Sequence, residues 1–311
     1  MSKKPPPKRT RIEDVLMPTK VNRSLMESML SQVVASRTSF AVDEAQEIMF
    51  DAWEAADHRR RIALAKKALA ISRDCADAYV LLAQESTPSA EAALKMYQRG
   101  VAAGERALGK KAFKEDVGMF WGLIETRPYM RARHGLALSQ WECGQRESAV
   151  ANVEDMLRLN PNDNQGVRYL LLDWLLRMDR DGDAAKVFER YRGDGSTEVL
   201  WPAALAAFRR VGDAPASRRA LQRARAVNPH VGDYLTGAKK LPHTIPELVG
   251  FGSQEEAAAH VELAFETWAQ TAEALDWLRQ RLTAARSGRP AGRAARRAAR
   301  KKPTRPSDRQ V

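Results

Sequence analysis

Two segments of the chain, LRLNPND and ARAVNPH, place Pro161 and Pro229 sixty-eight residues apart, and Gly144 and Gly212 stand at the same separation. Twice thirty-four is the spacing of helical hairpins of the tetratricopeptide kind, in which each unit buries its apolar face only by stacking on its neighbours. Counting back from each proline gives units over 130–163 and 198–231. In the first, Leu136 and Ala137 supply the large and small residues of a first helix, Gly144 ends it, and Ala149 lets the second helix approach closely. Trp201, Gly212, Ala224 and Pro229 fill the matching positions of the second unit. A middle unit carries Leu170, Leu171 and Trp174, then Ala184, Phe188 and Tyr191, with one extra residue in its turn. Ala149, Val153, Met156 and Leu157 recur at helical spacing, so one face of that helix is expected in the core.

The same pattern extends upstream. DEAQEIMFDAWEAAD pairs with RRRIALAKKALAIS as a degenerate first hairpin, and Tyr79, Leu82 and Ala83 mark the next helix, followed by one from about Ser89 with Ala93 and Tyr97 a turn apart. Residues 12–36 read as an amphipathic leading helix with Leu25, Met29, Val33 and Ser36 near one face. After Pro246, a Ser253/Glu256 capping box opens two helices around Phe265, Trp268, Trp277 and Leu278, the polar-backed cap that a repeat array needs. The expected fold is therefore all-α: a tetratricopeptide-like solenoid over 12–250, capping helices over 251–285, and basic disordered tails at 1–11 and 286–311.

Those tails hold the chain's basicity. The net charge is +12, yet residues 1–11 contain five cations and no acid, and residues 286–311 contain ten cations against Asp308 alone, which leaves the body slightly acidic. Polyanion binding is thus expected in the tails, with Arg293, Arg296, Arg297, Arg300, Lys301 and Lys302 as its candidates. The tail has no aromatic residue on which a base could stack, so such binding would be blind to sequence. A purely solubilising tail accounts for the same composition. Cys75 and Cys143 have neither disulfide nor zinc spacing, and no run of about 18 apolar residues occurs, so the expectation is a cytoplasmic protein with no membrane span.

Chemistry finds little foothold. GERALGKK, Gly104 to Lys111, has phosphate-loop spacing until Lys111 replaces the hydroxyl residue that would hold magnesium, and it reads as a helix end. DRDGD, Asp179 to Asp183, places its glycine too early for a calcium loop and has Arg190 where the last ligand belongs. His58, His134, His230, His243 and His260 form no pair at ligand spacing. No enzyme activity and no cofactor are expected.

A repeat array of this kind binds an extended peptide or helix, and the sequence supplies anchors at MFWGLIETRPYMRARHGLA, Met119 to Ala137. Tyr97 on a second helix and Tyr129 on the first helix of the next unit are thirty-two residues apart, well over the half-period that separates such helices, so an inserted segment must be crossed here. One reading makes the junction structural: Gly118 and Gly122 turn the chain, Phe120 and Trp121 cover the preceding hairpin, and Pro128 starts a new helix. The other makes Trp121, Arg127, Tyr129 and Arg131 the lining of a groove, because Trp, Tyr and Arg are the commonest binding anchors. His134 and Arg168 occupy positions where some arrays carry a carboxylate clamp, but Leu138 and Leu172 beside them give no such clamp.

ETRPYMRARHGLA (Glu125 to Ala137), NPHVGDYLTG (Asn228 to Gly237) and GSQEEAAAHVELAFETW before a final EALDWL together resemble the suppressor of tumorigenicity 7 family over roughly residues 25–285. The resemblance implies a tetratricopeptide-like helical domain without an assigned enzymatic activity. Animal members resemble membrane proteins with N-terminal hydrophobic spans, and this chain reads instead as a soluble branch of bacterial type. The expected function is a scaffold for a protein or peptide partner, or alternatively an adaptor held on nucleic acid or the ribosome by its tails.

Overall fold

A computed structural model describes residues 38–246 and 249–286. Among them the chain forms thirteen helices joined by turns, with no strand. The all-α expectation holds there; the two tails and the leading segment lie outside the described residues. The helices fall into two compact units.

The first unit begins with α1 (Phe40–Glu54) and α2 (His58–Ile71). Local chemistry fixes both starts. Ser39 Oγ accepts from the Val42 amide and Asp57 from the Arg60 amide, satisfying donors that a helix N-terminus leaves open. α3 (Ala76–Ser86) and α4 (Ala90–Glu115) form the next hairpin, the latter capped by Ser89 as expected. Small residues let these helices approach. A Cβ on Gly100 would stand 3.1 Å from Tyr79, and one on Gly104 would stand 2.9 Å from Tyr129.

α5 (Arg127–Glu142), α6 (Arg146–Leu159), α7 (Val167–Arg177) and α8 (Asp181–Arg190) continue the unit. Gly144 has φ +76°, so it ends the helix in a backbone conformation that disfavours any side chain. Ala149, Val153, Met156 and Leu157 are all buried, as their spacing requires. The longest departure from the period is α4. It continues past the position of a normal hairpin, breaks at Gly109 with φ +67°, and ends at Glu115. GERALGKK therefore holds the end of one helical segment, at Gly109, and the start of a second that runs to Glu115.

Gly135 shows how tight the α4–α5 contact is. A Cβ there would lie 2.0 Å from the Tyr97 ring, and that ring is itself buried. Gly135→Ala should lower stability by about 1–3 kcal/mol in urea unfolding, because the ring must move. Helix propensity alone predicts the opposite sign, a gain of roughly 1 kcal/mol. A measured gain would mean that the two helices sit farther apart.

The second unit holds α9 (Thr197–Val211), α10 (Pro215–Val227), the short α11 (Val231–Leu235), α12 (Gln254–Gln270) and α13 (Ala274–Arg286). Trp201 and Trp268 are fully buried, 6.0 Å apart, and Phe208 stacks on Trp277 at 4.5 Å. Phe265 departs from its expected place in that core and faces outward, 45% exposed. The Ser253/Glu256 box is half as expected. Ser253 Oγ accepts from the Glu256 amide, but the Glu256 carboxylate accepts from the Gly252 amide one residue earlier.

Candidate functional site

The first unit contains a cleft of about 160 Å³. One wall is a face of α1, where Val42, Gln46 and Phe50 recur every fourth residue and Asp43 and Glu47 run beside them. The opposite wall comes from α4, which presents Ala107 and Leu108, and from the junction, which presents Ile124 and Glu125. The first turn of α5 closes the cleft with Pro128 and Tyr129, and Asp74 and Ala76 flank it at the start of α3. Long separations in sequence thus converge on one depression.

Its floor is an ion pair. Arg131 donates to Asp77 through both Nε (2.7 Å) and a terminal nitrogen (2.5 Å), and Gln46 adds a 2.9 Å hydrogen bond from α1. Both charges are nearly inaccessible, at 7% and 0% exposure. The fork geometry joins α1, α3 and α5 at one point and gives the guanidinium the bidentate acceptor it fits best. Beside it, burial and then the Asp77 charge push the Cys75 thiol up to about 12, so Cys75 is a neutral core residue and not a nucleophile.

The rim is acidic. Asp43, Glu47, Asp74 and Glu125 all contribute carboxylates, while Arg131 is already committed to Asp77. Arg106 reaches Asp74 at 2.8 Å from the outer side. Thr38 Oγ1 donates to Asp43, and apolar side chains lie between these carboxylates.

The junction from Met119 to Thr126 holds the cleft open. Gly118 takes φ +97°, and the amides of Gly118 and Phe120 donate to the Leu159 carbonyl at 3.0 and 3.2 Å, fastening the turn to the end of α6. Thr126 Oγ1 donates to the carbonyls of Phe120 and Leu123. Phe120 is fully buried and packs with Phe113 and Tyr129 at 5.2 and 6.0 Å. Trp121 is only half-buried. Its ring lies under the Arg127 guanidinium at 5.6 Å, and Arg127 Nε donates to the Trp121 carbonyl at 2.9 Å. The junction thus divides its aromatic residues between a sealed core and an accessible edge.

The sequence candidates accordingly separate. Tyr129 and Arg131 line the cleft, and Trp121 and Arg127 stand on the junction that forms its wall. Tyr129 is buried, with its hydroxyl accepting from Arg133 at 2.7 Å, and desolvation raises its pKa. His134 lies in the core with Nε2 lacking a hydrogen-bond partner, and burial lowers its pKa to about 4. Arg168 belongs to a different cluster, bonded to Asp163 at 2.8 Å and Asp194 at 2.7 Å, with its guanidinium over Tyr169. Arg293, Arg296, Arg297, Arg300, Lys301 and Lys302 lie outside the described residues. Sequence reasoning missed Asp77, Gln46, Asp43 and Glu47. Only Asp77 left a signal, as a carboxylate inside the apolar run CADAYVLLA.

Two motifs of the second unit meet in a buried polar knot. Glu256 accepts from Asn228 at 2.8 Å, Thr197 at 3.0 Å and the Gly252 amide at 2.8 Å, while Asn228 also donates to the Ser253 carbonyl. Thus NPH and GSQEE are one satisfied structural element, fixing α9, α10 and α12 together.

Among the described residues, no group of three or more His, Cys, Asp or Glu could hold a metal ion, and no helix is long and apolar enough to cross a membrane. Comparison with known sequences matches residues 33–286 to the ST7 protein family. The chain is 28% identical over 260 residues to the Protein ST7 homolog of Drosophila melanogaster, covering 76% of this chain and 48% of that protein. It is 27% identical over 254 residues to the suppressor of tumorigenicity 7 protein-like of Bos taurus, covering 75% and 46%, and to that of Homo sapiens, covering 75% and 44%. The chain therefore spans a little under half the length of these relatives. No solved structure matches it.

Proposed function

The chain belongs to the ST7 protein family, and from that premise we propose that it is a non-enzymatic helical scaffold whose α1–α4–α5 cleft binds a peptide or helix of a protein partner. The observation that carries this reading is the cleft's composition: aliphatic and aromatic walls, four carboxylates at the rim, and a floor whose one arginine is already paired. Such a surface fits an amphipathic segment whose apolar residues enter the cleft and whose cations meet the rim. The walls are helices fixed by buried contacts, so little ordering cost falls on the protein side. Tetratricopeptide-like hairpins present side chains in this manner, which accords with the thirty-four-residue spacing.

A second reading rests on the charge distribution. The tails carry more than the entire net charge, which supports a polyanion-bound adaptor. The two readings are separated by capturing partners from nuclease-treated, crosslinked host lysate with the full chain and with residues 12–285. A scaffold keeps its specific protein partner after the tails are removed. An adaptor loses its specific capture with the tails or with nuclease, and that outcome would reject the cleft reading.

A further inference from the structure

The α1–α2 hairpin carries opposite charges on its two helices, and from their pattern we propose that its outward face docks on the same face of a second copy of this chain, making a weak two-fold dimer. α1 has five acids and no Lys or Arg, and α2 has five Lys or Arg and no acid. On α1, Phe40, Glu44 and Asp51 share one exposed stripe, opposite the buried Ala45, Met49 and Ala52. On α2, Arg59, Ala63, Lys66 and Ala70 form the corresponding exposed stripe, opposite the buried Ala65 and Ala68, with Arg60 and Lys67 beside it.

These charges have no use within the chain. Among the described residues, Glu44, Asp51, Arg59, Arg60, Lys66 and Lys67 make no ion pair and no side-chain hydrogen bond, whereas Glu47 and Glu54 interact within the chain and Arg61 is bonded to Glu85. Their signs also oppose the local helix electrostatics. Asp51 lies in the last turn of α1, at the negative end of the helix dipole, and no cation accompanies it there. Arg59 and Arg60 lie in the first turn of α2, at the positive end, with no acid beside them. Each placement is unfavourable in an isolated hairpin. A second copy related by a two-fold axis along the hairpin lays its α2 antiparallel over α1, which sets its Arg59 against Asp51 and offsets both placements together.

The register supports the same docking. Glu44 and Asp51 are seven residues apart, as are Arg59 and Lys66, so both pairs span about 10.5 Å along their helices. Docking that sets Asp51 on Arg59 of the second copy therefore sets Glu44 on Lys66 and brings Phe40, 83% exposed, over Ala70, a small exposed residue. The two-fold axis makes each contact twice, so one surface is complementary to itself.

Area sets the strength. Two helices about 21 Å long and about 10 Å apart present a face of about 400 Å² per copy, small beside the roughly 800 Å² per partner of a stable complex. Pairing is therefore weak, driven by charge and lost at high salt. Val42, Gln46 and Phe50, which line the cleft, lie on another side of α1, so dimer and peptide site are tested separately.

The test is sedimentation of the full chain over a concentration series at about 50 mM and about 500 mM salt. A monomer–dimer equilibrium is expected at the lower salt, weakened about ten-fold or more at the higher. Two variants each reverse one stripe, Glu44→Lys/Asp51→Lys and Arg59→Glu/Lys66→Glu. All four side chains are exposed, so both variants should keep the helical circular dichroism of the unmodified chain, and each alone should be monomeric. Mixed in equal amounts they should form a heterodimer, because the acidic helices of one then meet the basic helices of the other at both contacts. A monomeric unmodified chain at the lower salt, which would leave the α2 cations to an external polyanion, self-association unchanged in either variant, or a mixture that stays monomeric would each overturn the proposal.

Discussion

Replacing Asp77 by alanine should cost about 3–5 kcal/mol of stability, because it leaves the Arg131 guanidinium buried without its counter-charge. That is a large share of the roughly 5–15 kcal/mol that holds a domain folded. The loss comes mainly from the stranded charge and not from the value of the ion pair, since two desolvated ions gain little over apolar groups of similar size. Removing both partners therefore behaves differently. Asp77→Leu/Arg131→Met should recover at least half of the single-variant loss in urea unfolding, although it also leaves the Gln46 amide without its acceptor. A single-variant cost below about 1 kcal/mol would show that the floor of the cleft opens to water.

Lowering the pH should destabilise both units through two buried imidazoles. Burial holds His134, and separately His260, near pKa 4, against 6.5 for an ordinary histidine. Each folded-state value is depressed, so as pH falls the unfolded chain takes up protons before the folded one. Stability is intact above about 6.5 and declines as pH drops toward 4, by about 2–3 kcal/mol for each imidazole at pH 4.5. Carboxylates held below their ordinary pKa, such as Asp155 and Asp213, also begin to lose stability as pH falls toward their unfolded-state values, so the imidazole contribution is isolated by comparison with a variant. Urea unfolding at pH 7.5 and 4.5, compared between the unmodified protein and His134→Met, should show the variant losing less. An equal loss in the two would mean that the His134 ring reaches solvent.

Much of the helical architecture was legible because its signals are local. Glycines at 144 and 212 mark helix ends through positive φ, Ser89 and Ser253 mark helix starts through their hydroxyls, and buried residues recur at 3.6-residue spacing. The junction was half legible. Its two open readings both describe part of it, since Phe120 seals the core while Trp121 and Arg127 remain at an edge. GERALGKK was legible as a helix end, which Gly109 provides, but the second helical segment from there to Glu115 was not expected. Phe265 was misplaced because aromatic residues at adjacent turns give no sign of which one faces the partner helix.

The cleft itself was not legible. Arg131 and Asp77 are fifty-four positions apart, and Gln46 and Asp43 lie on a helix that contacts them only through the fold. Charge scanning sees four scattered acids, each of which resembles an ordinary solvated residue. Only their convergence around apolar side chains gives them a shared meaning, and that convergence is set by how long α4 runs and where the junction returns the chain.

The most direct test of the account is partner capture by the full chain carrying Glu47→Lys/Ile124→Glu, which reverses one rim charge and places a carboxylate in the apolar wall. Both side chains are at least partly exposed, so urea unfolding should show a stability change of only about 1 kcal/mol or less. Loss of the specific protein partner from such a folded variant is the predicted result. A folded variant that captures the same partner at the same yield would contradict the cleft as the binding site.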